Sequence, residues 1–410
     1  MQLEIGPIFR AMTRSRARFL LIVAEVALTL AIAANGITLI LEAREAMTRP
    51  SGFDEANLVR VVSEPFSDAL RDPERLAQLT REDLAALRAM PGVRSASNTF
   101  FTPWMGGGAV TEVLLPGQEL GTNTQFYYVD PSILDTLDVE LVQGRNLTLQ
   151  EYESVPPDTG YDRAQVGVII SQALAKHLFP DGQAVGKTLA YSNVEQTHTI
   201  VGVFDKFYNP VGNAGGLNEY TVFYPIPSGG LQRGTQYLVR AEPGQANAVA
   251  AAIDQALLKV DDGRNVRVRT ITETRQRFHD SDRLLVASLN AVMILLVVVT
   301  ALGIVGITSF SVTERRRQIG TRRALGATPA AIVRYFLVEN WIVTTTGVVL
   351  GLGLAYALNY GLVTWVAGSR LDWRVLAPGV AFLWMLGLAA ALGPALRGSR
   401  VPPAIATRNV

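Results

Sequence analysis

Four apolar segments, each long enough to cross a bilayer, constrain the fold of this 410-residue chain more than any other feature. A bilayer core of about 30 Å is spanned by roughly 20 apolar residues in helical form. The first segment contains one charged residue, Glu25, the third contains only Glu339, and the other two contain none. The sequence therefore predicts transmembrane helices at 19–41, 284–312, 335–368 and 375–396.

The composition agrees with a membrane protein and excludes several other classes. Charged residues make up 18% of the chain, against roughly 25% in an average soluble protein, and the mean hydropathy is +0.22. Because the chain has no cysteine, a disulfide scaffold, a zinc finger and an iron–sulfur cluster are excluded. A net charge of +1 excludes a generally basic nucleic-acid binder, so no nucleic-acid partner is expected.

The distribution of arginine predicts the orientation of the four segments. Lysine and arginine accumulate in the short cytoplasmic loops of membrane proteins. Only two acidic residues accompany the three basic clusters, which are Arg10, Arg14, Arg16 and Arg18 before the first segment, Arg315, Arg316, Arg317, Arg322, Arg323 and Arg334 between the second and third, and Arg397, Arg400 and Arg408 after the fourth. Four crossings place all three clusters on one side. Segments 1–18, 313–334 and 397–410 are therefore predicted to be cytoplasmic, whereas the domain 42–283 and the loop 369–374 are predicted to lie on the outer side of the membrane.

An alternative for the N-terminus is a cleaved secretory signal. Arginines, an apolar run and then Ala31-Ile32-Ala33 resemble a signal with an A-x-A cleavage site. Against that alternative, the apolar run continues to Leu41, and Glu25 interrupts it. An uncleaved membrane anchor is therefore favoured.

The stretch between the first and second apolar segments has the composition of a soluble α+β domain. β-Branched residues predict strands at 57–63, 199–204, 236–241 and 265–271. Thr80 followed by an acidic residue at the third helical position predicts the start of a helix that ends near Met90. The predicted fold class is a membrane α-helical protein with four transmembrane helices in a 1+3 arrangement and a large α+β periplasmic domain between helices 1 and 2.

The domain offers little that resembles an active site. The stretch Gly182–Thr188 has three residues between its glycines, whereas a phosphate-binding loop requires four, and a turn leading into a strand at Leu189 is favoured. His177, His198 and His279 share no ligand-like spacing, so no metal site is expected. There is no G-x-S-x-G elbow, and no catalytic residue is predicted.

The loop between the second and third segments is the most informative part of the sequence. Residues 313–327 read Thr-Glu-Arg-Arg-Arg-Gln-Ile-Gly-Thr-Arg-Arg-Ala-Leu-Gly-Ala. Gly326 suits a helix C-terminus, and Thr328-Pro329 supplies an N-cap with proline at the first helical position. We expect a short basic helix that turns directly into the third membrane helix. Positive-inside topology alone would explain the arginines but not these signals for a helix end and a helix start.

This loop resembles the cytoplasmic signature of the FtsX-like permeases of ABC transporters, specifically the MacB-type branch. The residues that carry the resemblance are 314–320 and 322–327, with Pro394-Ala395 and 401–405 similar to the closing motif. Within the domain, Tyr128–Arg145, Val168–Lys187 and 200–203 resemble the periplasmic core domain of that branch. The resemblance covers nearly the whole chain.

The resemblance implies a permease subunit that dimerises with an identical or related chain in the bacterial inner membrane. Two cytoplasmic ABC ATPase subunits would bind ATP and Mg²⁺, so no cofactor is expected in this chain. The short helix would dock on the ATPase as a coupling helix, and motion would reach the periplasmic domain without cargo passing between the membrane helices. Only about eighteen residues precede the first segment, so a separate ATPase is expected. The MacB resemblance also allows a periplasmic adaptor or an outer-membrane channel as a partner in export or envelope substrate handling.

Residue types support the coupling role, since an arginine-rich helix can meet an acidic partner or anionic lipid. For any single arginine, a topological or lipid role stays open. The predicted ATPase-coupling residues are Glu314, Arg315, Arg316, Ile319, Gly320, Arg322, Arg323, Leu325 and Gly326.

Polar and small residues inside the membrane segments predict further contacts. Glu25 and Glu339 are costly in hydrocarbon, and we expect them to pair with basic residues such as Arg18 or Arg334. Gly347 and Gly351 form a G-x-x-x-G pair that allows close helix packing, either within the last three helices or at a dimer seam.

Two other functional classes remain open. The chain would be a membrane sensor if the domain were a receptor that signals through a partner. A membrane-anchored periplasmic enzyme is the third class, but it would not need the basic helix between crossings two and three.

Overall fold

A computed structural model describes residues 16–105, 109–115, 120–156, 159–160, 162–191, 194–211, 215–227, 234–366 and 370–402. The chain forms two compact units. Arg49–Asp280 make up one unit, which we call the large domain, and the described residues on either side make up the other, which we call the helical unit. The α-helices are, in chain order, α1 (Arg16–Thr48), α2 (Pro73–Arg88), α3 (Ile133–Leu137), α4 (Leu149–Glu153), α5 (Gln172–Leu178), α6 (Ala246–Val260), α7 (Ile271–Phe278), α8 (Asp280–Glu314), α9 (Arg316–Ala324), α10 (Pro329–Val366) and α11 (Trp373–Ser399).

Within the described residues, four helices are long and apolar enough to cross a membrane: α1, α8, α10 and α11. The predicted segments 19–41, 284–312 and 375–396 lie inside α1, α8 and α11, and each helix is longer than its segment. The third prediction, 335–368, begins later than α10, which starts at Pro329. Helix α10 is described to Val366, and the last two residues of the predicted segment lie outside the described residues. Hydropathy marks only the residues that lipid surrounds, whereas helical hydrogen bonding continues into the polar flanks.

The described part of the large domain contains two β-sheets, which confirms the predicted α+β class. The strands are β1 (Leu58–Pro65), β2 (Val93–Thr99), β3 (Ala109–Leu114), β4 (Thr122–Tyr128), β5 (Leu141–Gly144), β6 (Gly167–Ser171), β7 (Thr188–Tyr191), β8 (Val194–Phe204), β9 (Thr221–Tyr224), β10 (Thr235–Ala241) and β11 (Arg264–Thr270). An antiparallel sheet has the order β11-β1-β10-β2, and a mixed sheet has the order β5-β8-β6-β9-β4-β3-β7. Two of its pairs, β4–β9 and β6–β8, are parallel.

The predicted start of the second helix at Thr80 is wrong. Helix α2 begins at Pro73, and the side chain of Asp72 accepts a hydrogen bond from the Glu74 N–H at 2.9 Å. Thr80 lies inside the helix, where its hydroxyl donates to the carbonyl of Leu76 at 2.8 Å. A threonine satisfied in this way needs no cap position, and Asp-Pro is the stronger helix start.

A buried charged network holds the antiparallel sheet to its helices. The guanidinium of Arg264 on β11 donates to both carboxylate oxygens of Asp83 on α2, one of them at 2.7 Å. Tyr237 on β10 donates to the same carboxylate at 2.6 Å. Because the side chains of Asp83 and Arg264 are fully buried, this ion pair joins α2 and β11 away from water.

The predicted turn before β7 is confirmed. Gly182 and Gly186 adopt φ of +77° and +84°, a backbone region that favours glycine. Strand β7 then begins at Thr188. These glycines therefore shape the chain reversal.

Candidate functional site

The predicted short basic helix is α9, which lies between α8 and α10. Its end has the geometry that the sequence indicates. The Ala327 N–H donates to the carbonyl of Arg322 at 3.0 Å, and Gly326 adopts φ of +92°. These two features form a helix-terminating motif that satisfies the last carbonyls. Thr328 Oγ1 then accepts a hydrogen bond from the Ala331 N–H at 3.3 Å at the start of α10.

The apolar anchor of α9 is Ile319, which is 4% exposed. It belongs to a buried cluster with Val312 of α8, Ile332 and Phe336 of α10, and Ala395 of α11. Gly320 beside it is also buried. The inner face of α9 is therefore packed into the helical unit.

Charged anchors reinforce this inner face. Arg315, the single residue between α8 and α9, donates to Glu339 Oε2 at 3.0 Å and to the Tyr335 hydroxyl at 3.2 Å. Arg323 donates to the carbonyl oxygens of Ser399 at 2.7 Å and of Val401 at 3.3 Å. Two of the predicted coupling arginines thus bond to α10 and to the end of α11.

Glu339 pairs with a basic residue, as predicted, but this residue is Arg315 and not Arg18 or Arg334. Arg18 instead pairs with Glu314 at 2.7 Å, with side chains 37% and 53% exposed. The chain reversal at the α8–α9 junction brings Arg315 onto α10, a contact that sequence spacing does not reveal. Of the two adjacent residues at this junction, Glu314 therefore pairs with α1 and Arg315 pairs with α10.

Glu25 also differs from the prediction, since no ion-pair partner is found for it in the part of the chain that the structure describes. The side chain is half-buried on α1, and its carboxylate lies directly against Gly303 of α8. A Cβ at that glycine would overlap the carboxylate oxygens. Glu25 therefore occupies space that a glycine on the neighbouring helix leaves open.

Gly347 and Gly351 contact α1, a partner that neither sequence-based alternative named. A Cβ at Gly347 would lie 2.8 Å from Val26 Cβ, and one at Gly351 would lie 3.0 Å from Ala27 Cα. Real Cβ contacts are rarely this short, so the small residues allow α10 to pack closely on α1.

The outer face of α9 is exposed and basic. Arg316, Arg317 and Arg322 are exposed, and the Arg322 guanidinium lies 5.1 Å above the Tyr335 ring. Leu325 is 83% exposed at the end of the helix. Arg317 was not among the predicted coupling residues. It lies on the same helix face as the exposed Thr321, four residues further on, so the spacing of the two residues was the available signal. The outer face thus combines guanidinium groups with an uncovered leucine.

Metal ligands are not brought together in any of the described ranges, since no group of three His, Asp or Glu side chains could hold an ion. His198 and His279 are both buried in the large domain, but His198 lies in β8 and His279 lies between α7 and α8. The chemical features of the site are therefore charge, shape and exposure.

These features define a class: an integral membrane protein with an α+β domain inserted after its first membrane helix and a short anchored basic helix after its second. Residues 22–256 match the MacB-like periplasmic core domain, and residues 290–403 match the C-terminal domain of FtsX-like permeases. The first match alone covers more than half of the chain. The chain therefore belongs to the MacB-like, FtsX-like family of ABC transporter permeases.

Similar proteins include the macrolide export ATP-binding/permease protein MacB of Chromobacterium violaceum, 27% identical over 64% of this chain and 40% of the relative. An uncharacterized ABC transporter permease of Bacillus subtilis, YknZ, is 27% identical over 58% of this chain and 61% of the relative. The alignments thus span less than two thirds of either relative. The periplasmic region of MacB from Actinobacillus actinomycetemcomitans aligns with 57% of this chain and 98% of that structure, at 11% identity and a TM-score of 0.37.

Proposed function

We propose that this chain is the permease subunit of an ABC transporter that exports or handles an envelope substrate. Helix α9 docks on a cytoplasmic ATPase, which binds ATP and Mg²⁺ and is present in two copies around a permease dimer. Nucleotide-driven motion of the ATPase passes through the membrane helices to the large domain. The chain itself catalyses no reaction.

The observation that best supports this proposal is that α9 has an anchored inner face and an exposed outer face. Its inner face is fixed to three membrane helices through Ile319, Arg315 and Arg323. Its outer face presents Leu325 and arginines, and exposed apolar residues beside arginine are typical of protein interfaces. Since the helix is anchored on one face, a force applied to the other face displaces α8, α10 and α11 together.

The charge distribution supports the orientation. The arginines of α9 favour the cytoplasmic side. With four crossings, the start of α1 and the end of α11 lie on that same side, and the large domain lies opposite in the periplasm. This orientation puts α9 in the compartment that contains ATP.

The test is ATP hydrolysis in lipid nanodiscs, measured for the chain alone, for the ATPase encoded beside it, and for the two together. We expect hydrolysis to depend on the permease in the complex. Leu325→Asp combined with Arg317→Glu is expected to abolish association, because both side chains are exposed within the described part of the chain. A suitable control is Arg163→Glu, a charge reversal at a residue in the large domain whose side chain is 75% exposed.

Two outcomes contradict the proposal. The first is that the chain associates with no ABC ATPase. The second is that the Leu325→Asp/Arg317→Glu variant stimulates hydrolysis as well as the control does. Arg323→Glu gives a separate comparison, since this anchor is expected to disturb the docking of α9 on α11 rather than the outer surface.

A further inference from the structure

The chain enters the large domain from α1 through a firmly held segment. Arg49 follows α1 directly, and its guanidinium donates to Glu219 at 2.6 Å and lies 4.5 Å above the Tyr208 ring. Two residues later, the carbonyl of Ser51 accepts a hydrogen bond from the Tyr208 N–H at 2.7 Å. This first connection is therefore fixed to the residues that follow β8.

The chain leaves the large domain towards α8 through a second held segment, α7 and His279. The ring of Phe278 meets the edge of Trp104 at a centroid distance of 5.6 Å, and the His279 ring lies 5.5 Å from it. Trp104 is 2% exposed. The second connection is thus packed against a buried tryptophan.

One side chain contacts both connections. Arg275 of α7 donates to the two carboxylate oxygens of Glu55 at 2.9 and 2.7 Å, and to the carbonyl of Arg49 at 2.8 Å. Its guanidinium also lies 4.5 Å above the Trp104 ring. A planar guanidinium suits this role because it donates in several directions while stacking on an aromatic face.

Trp104 is held in a costly backbone conformation at this point. Its φ is +65°, a region that side chains other than glycine rarely adopt and that costs about 1–3 kcal/mol. The N–H of Trp104 donates to Asn209 Oδ1 at 2.8 Å, and its indole N–H donates to Glu55 at 3.1 Å. The same carboxylate therefore fixes both Trp104 and Arg275, which ties the strained residue to the two connections.

We propose that Arg275 is a positioning residue that locks the two connections together, so that α1 and α8 displace the large domain as one body. This inference rests on the proposed function, in which motion reaches the domain through these helices. Without the guanidinium, the bonds from α7 to the Arg49 carbonyl and to the Glu55 carboxylate are lost. Arg49 keeps its contacts with Glu219 and Tyr208, and Phe278 keeps its contact with Trp104. The two connections are then expected to move separately, and the domain to follow the helices only in part.

The test follows the position of the domain in the intact complex with its ATPase in nanodiscs. The chain contains no cysteine, so Arg400→Cys at the end of α11 and Gln255→Cys on α6 are its only thiols and accept a donor and an acceptor dye before the ATPase is added. Energy transfer is compared without nucleotide and with ATP and vanadate. The compared variants are Arg275→Met and, as a matched control, Arg277→Met, an exposed arginine two residues further along α7.

We expect Arg275→Met to lose more than half of the nucleotide-dependent change in transfer, with ATP hydrolysis within about twofold of the unmutated chain. Arg277→Met is expected to keep the full change. A merely structural loss would lower the thermal stability and the hydrolysis rate as well, so both are measured. If Arg275→Met does not fold, the isosteric Glu55→Gln variant, which weakens the same charged contacts, decides the question.

A full change in Arg275→Met, or an equal loss in Arg277→Met, would overturn the inference. The absence of any nucleotide-dependent change in the unmutated complex is a different result. It refutes the proposed function, and the inference then falls with it.

Discussion

The ion pair between Arg315 and Glu339 gives the sharpest prediction about how α9 is held. A fully buried pair that loses one partner costs about 3–5 kcal/mol, whereas an exposed pair contributes about 0–1 kcal/mol. Both side chains here are 16% exposed, so we expect Arg315→Gln to cost about 2–3 kcal/mol. Because about 1.4 kcal/mol is a factor of ten, the population of undocked α9 should rise roughly 30- to 140-fold.

Hydrogen–deuterium exchange of the intact chain in nanodiscs measures this population, since α9 amides exchange when the helix leaves its site. Arg316→Gln serves as the control, because Arg316 is exposed and neighbours Arg315 in the chain. Arg18→Gln removes the exposed pair with Glu314 and should accelerate exchange less than about fivefold. Charge exchange in the Arg315→Glu/Glu339→Arg double variant should restore most of the protection. Equal exchange in Arg315→Gln and Arg316→Gln would refute this explanation of the inner face.

Two further predictions concern packing and buried charge. Gly347→Ala should destabilise the detergent-solubilised chain by about 1–3 kcal/mol because its Cβ meets Val26. Gly353→Ala should not, because the described residues leave open space around an added Cβ there. Thermal unfolding compares the two variants. Asp83→Ala should cost about 3–5 kcal/mol because it leaves Arg264 charged and buried. Replacing both partners by leucine should lower the free energy of unfolding less than Asp83→Ala does. Exchange protection in β10 and β11 measures both effects. A larger loss for the double replacement would contradict the role assigned to the pair.

The sequence determined those parts of the fold that depend on local or solvent-imposed rules. A chain crossing lipid must satisfy its backbone hydrogen bonds internally, so the apolar segments had to be helices. The length of α8, which runs from Asp280 to Glu314, could not be read in the same way, because helices continue into water without an apolar signal. The start of α2 was misplaced because Thr80 and Asp72 both carry cap-forming side chains, and only the fold shows which one lies at the helix end.

The candidate site shows the same division between local and tertiary information. The end of α9 and the start of α10 were predictable because Gly326 and Thr328 act on their own neighbours along the chain. Which arginines face inward was not predictable, since Arg315 meets a carboxylate 24 residues further on and Arg323 meets carbonyl groups at the end of α11. The arginine content of the loop therefore indicated where a basic helix lies, whereas its two faces emerge only when α8, α10 and α11 pack around it.

Helix α8 links the α9 junction, where the ATPase is proposed to act, to the α7 connection that Arg275 is proposed to hold. It begins directly after the α7 segment that carries Arg275 and ends at the junction held by Arg315. Its 35 residues at about 1.5 Å each extend about 52 Å without a break. Four of its residues are buried within the described part of the helical unit, against thirteen residues of α1, so α8 has fewer packing contacts to lose on moving. Under the proposed function, a continuous helix that is anchored at both ends and lightly packed between them is suited to pass motion from α9 to the connection that Arg275 holds to α1.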